Sequence, residues 1–209
     1  MFFFVALKDA SWHNTYHKSS KKEDKMEKIK EGFLRVTTPL SAFTDFSSIP
    51  PHVLQHAADR GTKVHKLCEL TLLDEYFPQP EEELKGYLNS FNEWKDTLET
   101  IHRLETRYYS DMLKITGAID IIGTVKGDKS PSIIDIKTAA SESKTWCLQL
   151  AAYQHLFNSN IDTQVKAERR FALHLKKNGK RAKIIEYTDH DRDLDLYLSA
   201  LKIWRYFNG

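Results

Sequence analysis

Charged side chains interrupt two apolar segments in the middle of the chain, within residues 114–153. Asp120 lies inside the apolar run 115–122, and Asp135 and Lys137 flank Ile136 in the next one. A carboxylate in a buried strand costs free energy unless it is paired or binds a metal. Three such groups on neighbouring strands therefore form a candidate site.

The spacing of these residues points to metal-assisted phosphodiester chemistry. Asp120 and Asp135 are separated by the turn-forming sequence 127–131, so a hairpin would bring them close together. Two nearby carboxylates repel each other, and a divalent cation relieves this; oxygen ligands favour Mg²⁺ or Mn²⁺. Lys137 lies two residues after Asp135 and shares its face of the strand, where an ammonium would stabilise charge developing on a phosphate. The carbonyl of Ile136 is a further candidate ligand.

The tripeptide 135–137 also has a second interpretation, a buried Asp–Lys ion pair within the sheet. The tripeptide alone leaves both interpretations open. Asp120, at hairpin distance, favours the metal.

Composition limits the class of protein. A chain of 209 residues with 41% hydrophobic and 29% charged residues is typical of one soluble globular domain. The formal net charge of +2 means that any polyanion site must come from local clustering. Cys68 and Cys147 are too few for a disulfide framework, an iron–sulfur cluster or a structural zinc site. The apolar start, residues 1–7, is too short for a secretory signal, and no later run approaches a membrane span. We expect a soluble, intracellular protein with no membrane partner.

Hydrophobic periodicity and turn residues predict a single α/β domain whose central mixed β-sheet is flanked by helices. Residues 1–50 are predicted to be an arm and entry segment, with an edge strand at Phe2–Leu7 and a lysine-rich segment, 11–31, that is either a solvated charge run or a phosphate-attracting arm. The predicted elements that follow are helices over 51–73 and 81–103, strands over 104–110, 112–126 and 132–138, a helix over 145–157, a strand over 165–175, a hairpin at Asn178–Gly179 with a return strand over 182–187, and a helix over 189–207.

The predicted helices add candidate site residues. Gly61, His65 and Glu69 are spaced four apart and share one face of the first helix, as Gln149 and Tyr153 do on a later one. A lone histidine here is more often a satisfied, half-buried residue than a ligand. Gly61 costs about 1 kcal/mol relative to alanine in a helix interior, which predicts close packing or the approach of a ligand.

Four motifs, taken in order, resemble the PD-(D/E)xK nuclease superfamily, and most closely its RecB-type exonuclease branch. The patterns of that branch, G-x-x-x-H, G-x-x-D, D-x-K-T and Q-x-x-x-Y, match Gly61–His65, Gly117–Asp120, Asp135–Thr138 and Gln149–Tyr153. Ile119 replaces the proline of the family name, and the cysteine quartet of the iron–sulfur members is missing. The resemblance covers roughly residues 35 to 205. It implies a restriction-endonuclease-like core, which we assign to residues 51–209.

The resemblance also implies roles for individual residues. Glu105 matches an acidic position common in the branch, where it either supports the metal ligands or binds a second metal, while Glu69 either orients His65 or lies on the surface. Apart from the resemblance, the basic residues of the chain add candidate substrate contacts: the amino-terminal arm, Lys144 near the predicted crossover helix, and the hairpin cluster of Lys176, Lys177, Lys180 and Arg181. Trp146 either stacks on bases or packs in the core. The implied assignments are metal ligation by His65, Asp120, Asp135 and the Ile136 carbonyl, catalysis by Lys137 with Asp120, Asp135 and Glu105, and substrate contact by Gln149, Tyr153, Lys144 and Thr138.

We therefore expect a Mg²⁺- or Mn²⁺-dependent DNA exonuclease that acts on a single strand or a duplex end. Such enzymes serve recombination, repair or phage DNA processing in the bacterial or phage-infected cytoplasm, so a recombination or single-strand-binding protein is the expected partner. Three alternatives share these features: a structure-selective endonuclease, a non-catalytic DNA-binding subunit and a hydrolase of small phosphate esters. The motifs are compatible with a monomer or with a ring-forming oligomer.

Overall fold

A computed structural model describes residues 29–160 and 165–209. The predicted edge strand Phe2–Leu7 and nearly all of the lysine-rich segment lie outside these residues. Among the described residues, no helix is both long enough and apolar enough to cross a membrane.

The described residues form five α-helices and six β-strands. The elements in chain order are β1 (Leu34–Arg35), α1 (Thr37–Leu40) with a following 3₁₀ turn (Ser41–Phe43), α2 (Pro51–Leu72), α3 (Glu82–Lys95), β2 (Leu98–Ser110), β3 (Ile115–Val125), β4 (Ser132–Lys137), α4 (Trp146–Asn158), β5 (Arg169–His174), β6 (Lys183–Glu186) and α5 (His190–Asn208).

The strands form one mixed sheet in the order β1-β3-β4-β5-β6, with β2 on the other side of β3. β2, β3 and β4 are connected as antiparallel hairpins, and helix α4 is the crossover that makes β4 and β5 parallel. Two strands share one edge of β3: β1 pairs with its beginning at Ile115, and β4 pairs further along, at Ile121–Gly123. The middle strands are almost wholly buried, which is why they read as continuous apolar runs. The predicted mixed α/β architecture is confirmed.

One helix prediction is wrong at its end. The helix expected over 81–103 stops at Lys95, and β2 begins at Leu98 instead of near residue 104. Leu98 and Ile101 continue the helical spacing of α3 by coincidence, but they pair in the sheet with Val125 and Gly123. The long strand β3 needs a partner for its backbone groups along this stretch, and that requirement outweighs the local pattern.

The strand expected over 165–175 is also shorter than predicted, since β5 starts at Arg169. The backbone of Ala167 is satisfied by side chains instead of by a neighbouring strand. Asn158 accepts a hydrogen bond from its N–H at 2.8 Å, and Gln154 donates to its carbonyl at 2.8 Å. With its polar groups satisfied in this way, the segment has no need to join the sheet.

Helices α4 and α5 pack against each other, and α4 also packs against the sheet. The main hydrophobic core lies between these layers and includes Ile119 of β3, Ile133 of β4, Leu150 of α4 and Tyr197 of α5. A buried ion pair crosses the same layer: Arg170 of β5 donates to Asp193 of α5 at 2.6 Å, and both side chains are almost inaccessible to solvent. The guanidinium also donates to Gln154 and to the carbonyl of Asp189, so one buried cation connects β5 with two helices. These layers hold β4 and α4 in place, and both carry candidate site residues.

Candidate active site

The buried Asp120 carboxylate lies where β4 separates from β3. The backbone pairing of the two strands ends at Ile121 and Ile134. Beyond that point, the Ile136 N–H donates to Asp120 Oδ2 at 2.6 Å. A side-chain oxygen thus replaces the backbone acceptor, and the strands diverge around it. This local opening explains how a strand that is otherwise apolar accommodates a carboxylate.

Helix α2 and strand β2 bring two more donor groups to Asp120. His65 Nδ1 is 3.3 Å from Asp120 Oδ1 and 4.0 Å from Glu105 Oε1. Glu105 and Asp120 are cross-strand neighbours, because Leu104 pairs with Ile121 and the register continues. One ligand atom from each of the three side chains lies within 4.8 Å of the others.

Glu105 has a strained backbone. Its φ is 44°, in the left-handed region that non-glycine residues rarely adopt, although it lies inside a strand. Such a conformation costs on the order of 1–3 kcal/mol and persists where the surroundings impose it, often at functional sites. Here it accompanies the placement of the Glu105 carboxylate beside His65.

The electrostatics of the cluster reflect three carboxylates around two cationic groups. Burial opposes the charge on His65, but Asp120 and Glu105 prevail and raise its pKa to about 9. Burial and the neighbouring Asp120 raise the pKa of Glu105 to about 8. Burial also raises the pKa of Asp135 against the opposing effect of Lys137. Burial acts on Asp120 in the same direction, but the His65 imidazolium prevails and lowers the pKa of that carboxyl. Glu105 and Asp135 therefore resist ionisation unless additional positive charge enters the site.

The donor set of His65, Glu105 and Asp120 fits a divalent cation. In an octahedral site with bonds of about 2.1 Å, adjacent ligands are about 3.0 Å apart and opposite ligands about 4.2 Å apart. The distances of 3.3 Å and 4.0 Å from His65 Nδ1 are close to these two values. Two carboxylate oxygens and one imidazole nitrogen could therefore coordinate one ion after small side-chain movements.

Asp135 belongs to a second, adjoining group. Its carboxylate forms an ion pair with Lys137, which also donates to Gln149 Oε1 at 2.7 Å. The Gln149 amide nitrogen donates to Asp135 Oδ1 at 3.3 Å and to Tyr153 Oη at 3.0 Å. The buried Asp–Lys pair considered from the sequence is thus present. Glu105 joins His65 and Asp120 in the three-residue cluster, and metal ligation by Asp135 stays a prediction. The two groups adjoin because Ile136, between Asp135 and Lys137, donates to Asp120.

Lys137 lies against an aromatic wall of Trp146 and His174, of which the sequence singled out only Trp146. The ammonium lies 5.6 Å from the ring centroid of Trp146, and His174 meets the same ring edge-on at 5.4 Å. His174 Nε2 is 2.7 Å from the carbonyl oxygen of Ala139. Both wall residues are buried, which favours packing over base stacking for Trp146. His174 pairs with Lys137 in the parallel register of β5 and β4. Aligning the ends of these two predicted strands was the one sequence signal that could have found it.

The remaining motif residues lie around these two groups. A Cβ on Gly117 would come within 2.4 Å of the Tyr153 ring, so this position requires glycine. A Cβ on Gly61 would meet only Thr138 Oγ1 at an ordinary 3.5 Å, so packing does not explain that glycine. Lys144 is exposed.

Glu69 forms an ion pair with Lys66 at 2.8 Å. Its carboxylate is half-buried on α2 and contributes to the raised pKa of Glu105, and its orienting role toward His65 stays a prediction.

Three comparisons with known proteins were informative to different degrees. A comparison with curated proteins finds no match. Among solved structures, the crystal structure of SSO0001 is similar at 19% identity and a TM-score of 0.37, covering 90% of this chain and 81% of that chain, a likeness too weak to support an argument. The family profile described as PD-(D/E)XK nuclease superfamily matches residues 44–204, well over half of the chain. The chain belongs to the PD-(D/E)XK nuclease superfamily.

Proposed function

We propose that this nuclease is a divalent-metal-dependent DNA exonuclease of the RecB-type branch. The observation that supports it best is the cluster of His65, Glu105 and Asp120, whose donor atoms lie within 4.8 Å of one another. Through the Ile136 amide, this cluster adjoins the network of Asp135 and Lys137. A metal position next to a positioned ammonium is the combination that phosphodiester hydrolysis needs.

His65, Glu105 and Asp120 would hold the cation, joined by an oxygen of Asp135 and the carbonyl of Ile136. When bound, Mg²⁺ or Mn²⁺ would activate water and neutralise the phosphate oxygens. The nitrogen ligand makes Mn²⁺ a good candidate, since imidazole is a softer ligand than carboxylate. Binding also requires His65 Nδ1 to be unprotonated, so its proton must leave before the ion enters.

Lys137 would stabilise the negative charge that develops on the scissile phosphate. Three neighbours orient its ammonium: the Asp135 carboxylate, the Gln149 carbonyl oxygen at 2.7 Å and the Trp146 ring. Gln149 and Tyr153 would act mainly by holding this arrangement, because each group in their chain of hydrogen bonds fixes the next. Exposed Lys144 would contact the DNA backbone, and Thr138, one residue beyond Lys137, would contact the bound strand.

A digestion assay tests the proposal. End-labelled linear DNA and closed circular DNA, each single- and double-stranded, are incubated with Mg²⁺, Mn²⁺ or EDTA. Lys137→Ala is compared with Lys126→Ala, an exposed lysine in the turn between β3 and β4. We expect metal-dependent loss of linear DNA only, abolished by the first substitution and retained by the second.

Other outcomes would overturn the proposal in specific ways. Cleavage of closed circles would make the enzyme an endonuclease. DNA binding without cleavage in either metal would leave a binding subunit on a nuclease fold. Turnover of small phosphate esters with none on polymers would contradict DNA as the substrate. Loss of linear DNA in EDTA would contradict the metal dependence.

A further inference from the structure

The turn between β5 and β6 is rich in exposed basic residues and lies beside the site. Residues 176–181, which we call the basic turn, contain Lys176, Lys177, Lys180 and Arg181 and no acidic residue. All but Lys176 are exposed. Within residues 29–160 and 165–209, the side chains of Lys177, Lys180 and Arg181 make no ion pair.

The basic turn is held firmly although it is polar. A Cβ on Gly86 of α3 would lie only 1.7 Å from the Lys177 carbonyl oxygen, so the backbone of the turn rests directly on the helix. The hydroxyl of Ser90, one helical turn later and fully buried, accepts a hydrogen bond from the Lys176 N–H at 2.8 Å. Gly179 supplies the left-handed φ of 76° that the reversal needs. The cationic side chains therefore project from a fixed backbone.

The basic turn also lies at the end of the sheet that carries Lys137, where β4 and β5 terminate. β5 is parallel to β4, so both strands end on the same side, and the Leu175 N–H donates to the Lys137 carbonyl at 2.8 Å. Lys176 Nζ reaches His174 Nδ1 at 3.4 Å, in the wall beneath Lys137. A continuous series of contacts connects the proposed catalytic lysine with the turn.

One acidic group near the turn, Glu142, is already paired. Glu142, in the loop after β4, forms an ion pair with Lys183. That pairing, with further effects of His174 and Lys176, lowers the pKa of Glu142. The cations of the turn are thus available to an anion outside the protein.

We propose that the basic turn is a backbone-binding surface that carries the phosphates of the substrate strand to Lys137. This inference rests on the proposed function and extends it. A protein with a formal net charge of +2 attracts polyanions only where its cations cluster, and here they cluster beside the site. The contact is to phosphate groups and is therefore independent of base sequence. A rigid turn loses little conformational freedom when the strand binds.

The test uses two matched double variants of the full chain. Lys177→Gln/Lys180→Gln removes two charges from the basic turn. Lys126→Gln/Lys129→Gln removes two exposed lysines from the turn between β3 and β4, at the other end of the sheet. The affinity for a fluorescent single-stranded oligonucleotide is measured in EDTA at several salt concentrations, with RNA of the same sequence in a parallel arm.

We expect Lys177→Gln/Lys180→Gln to weaken oligonucleotide binding severalfold or more at low salt, and Lys126→Gln/Lys129→Gln to leave it unchanged. Each phosphate contact to a single strand contributes about 0.7 to the slope of log affinity against log salt, so the slope should fall by about 1.4. Turnover of bis-p-nitrophenyl phosphate, a substrate too short to reach the turn, should be unchanged. A loss confined to DNA or to RNA would identify the polymer.

Equal effects of the two pairs, or an unchanged slope, would overturn this proposal. Because binding is measured without metal, the result does not depend on cleavage. A wild-type protein that fails to cut DNA but binds it through the turn would refute the proposed exonuclease and leave the backbone surface standing. If the Lys177→Gln/Lys180→Gln variant still cuts DNA and binds it with normal affinity, the proposed exonuclease stands and the basic turn is refuted as a binding surface.

Discussion

Replacing Gly86 by alanine should destabilise the protein, although the substitution improves helix propensity. Alanine in a helix interior is favoured over glycine by about 1 kcal/mol. The new Cβ, however, would lie 1.7 Å from the Lys177 carbonyl oxygen, so the basic turn must move away from α3. Overpacking of this kind costs about 1–3 kcal/mol, and losing the bond from Lys176 N–H to Ser90 adds about 1 kcal/mol. The net effect is a loss of about 1–3 kcal/mol.

The measurement is urea unfolding of wild type, Gly86→Ala and a control, Gly61→Ala. Both glycines lie inside helices, but a Cβ at Gly61 meets only Thr138 Oγ1, at 3.5 Å. The control should therefore gain up to about 1 kcal/mol of unfolding free energy. The two substitutions are chemically identical, and we predict opposite signs from the structure alone.

Affinity for an oligonucleotide in EDTA provides a second measurement on the same variants. Displacing the turn in Gly86→Ala should weaken binding, because the cations lose their fixed positions beside the site. A Gly86→Ala protein at least as stable as wild type would refute this account of the contact between α3 and the turn.

Three further predictions concern the remaining charged and aromatic groups. Folding raises the pKa of His65 from 6.5 to about 9 and that of Glu105 from 4.5 to about 8, so the folded chain binds more protons than the unfolded chain. Stability in EDTA, followed by urea unfolding, should therefore fall as pH rises from about 5 to 9, and Mn²⁺ should restore it most at the alkaline end; a flat profile would contradict both shifts. Arg170→Met should cost about 3 kcal/mol, because it leaves the buried Asp193 with Arg192, 2.9 Å away and largely exposed, as its remaining ion-pair partner; adding Asp193→Leu should recover part of this loss, and additive losses in a double-mutant cycle would refute it. Trp146→Leu should lower kcat with little change in oligonucleotide affinity, and Trp146→Phe should retain more activity; a change in KM alone would argue against a positioning role.

The sequence was sufficient for features that depend on local pattern. Apolar spacing predicted α2 to within one residue of its observed end at Leu72, and turn residues located the hairpin that brings Asp120 near Asp135. The order of the four motifs indicated the superfamily before any contact was known. Such signals survive in a single sequence because each depends on residues a few positions apart.

Tertiary structure alone decided how the site residues are grouped. His65, Glu105 and Asp120 come from a helix and two strands far apart in sequence, and no local pattern shows that Glu105, more than Asp135, lies beside the other two. The same holds for the start of β2 at Leu98, which the pairing needs of β3 determine. The docking of the basic turn on Gly86 likewise depends on the close approach of two backbones. These features arise from packing and hydrogen bonding between distant segments, whose energies exceed local propensity and are not encoded by residue spacing.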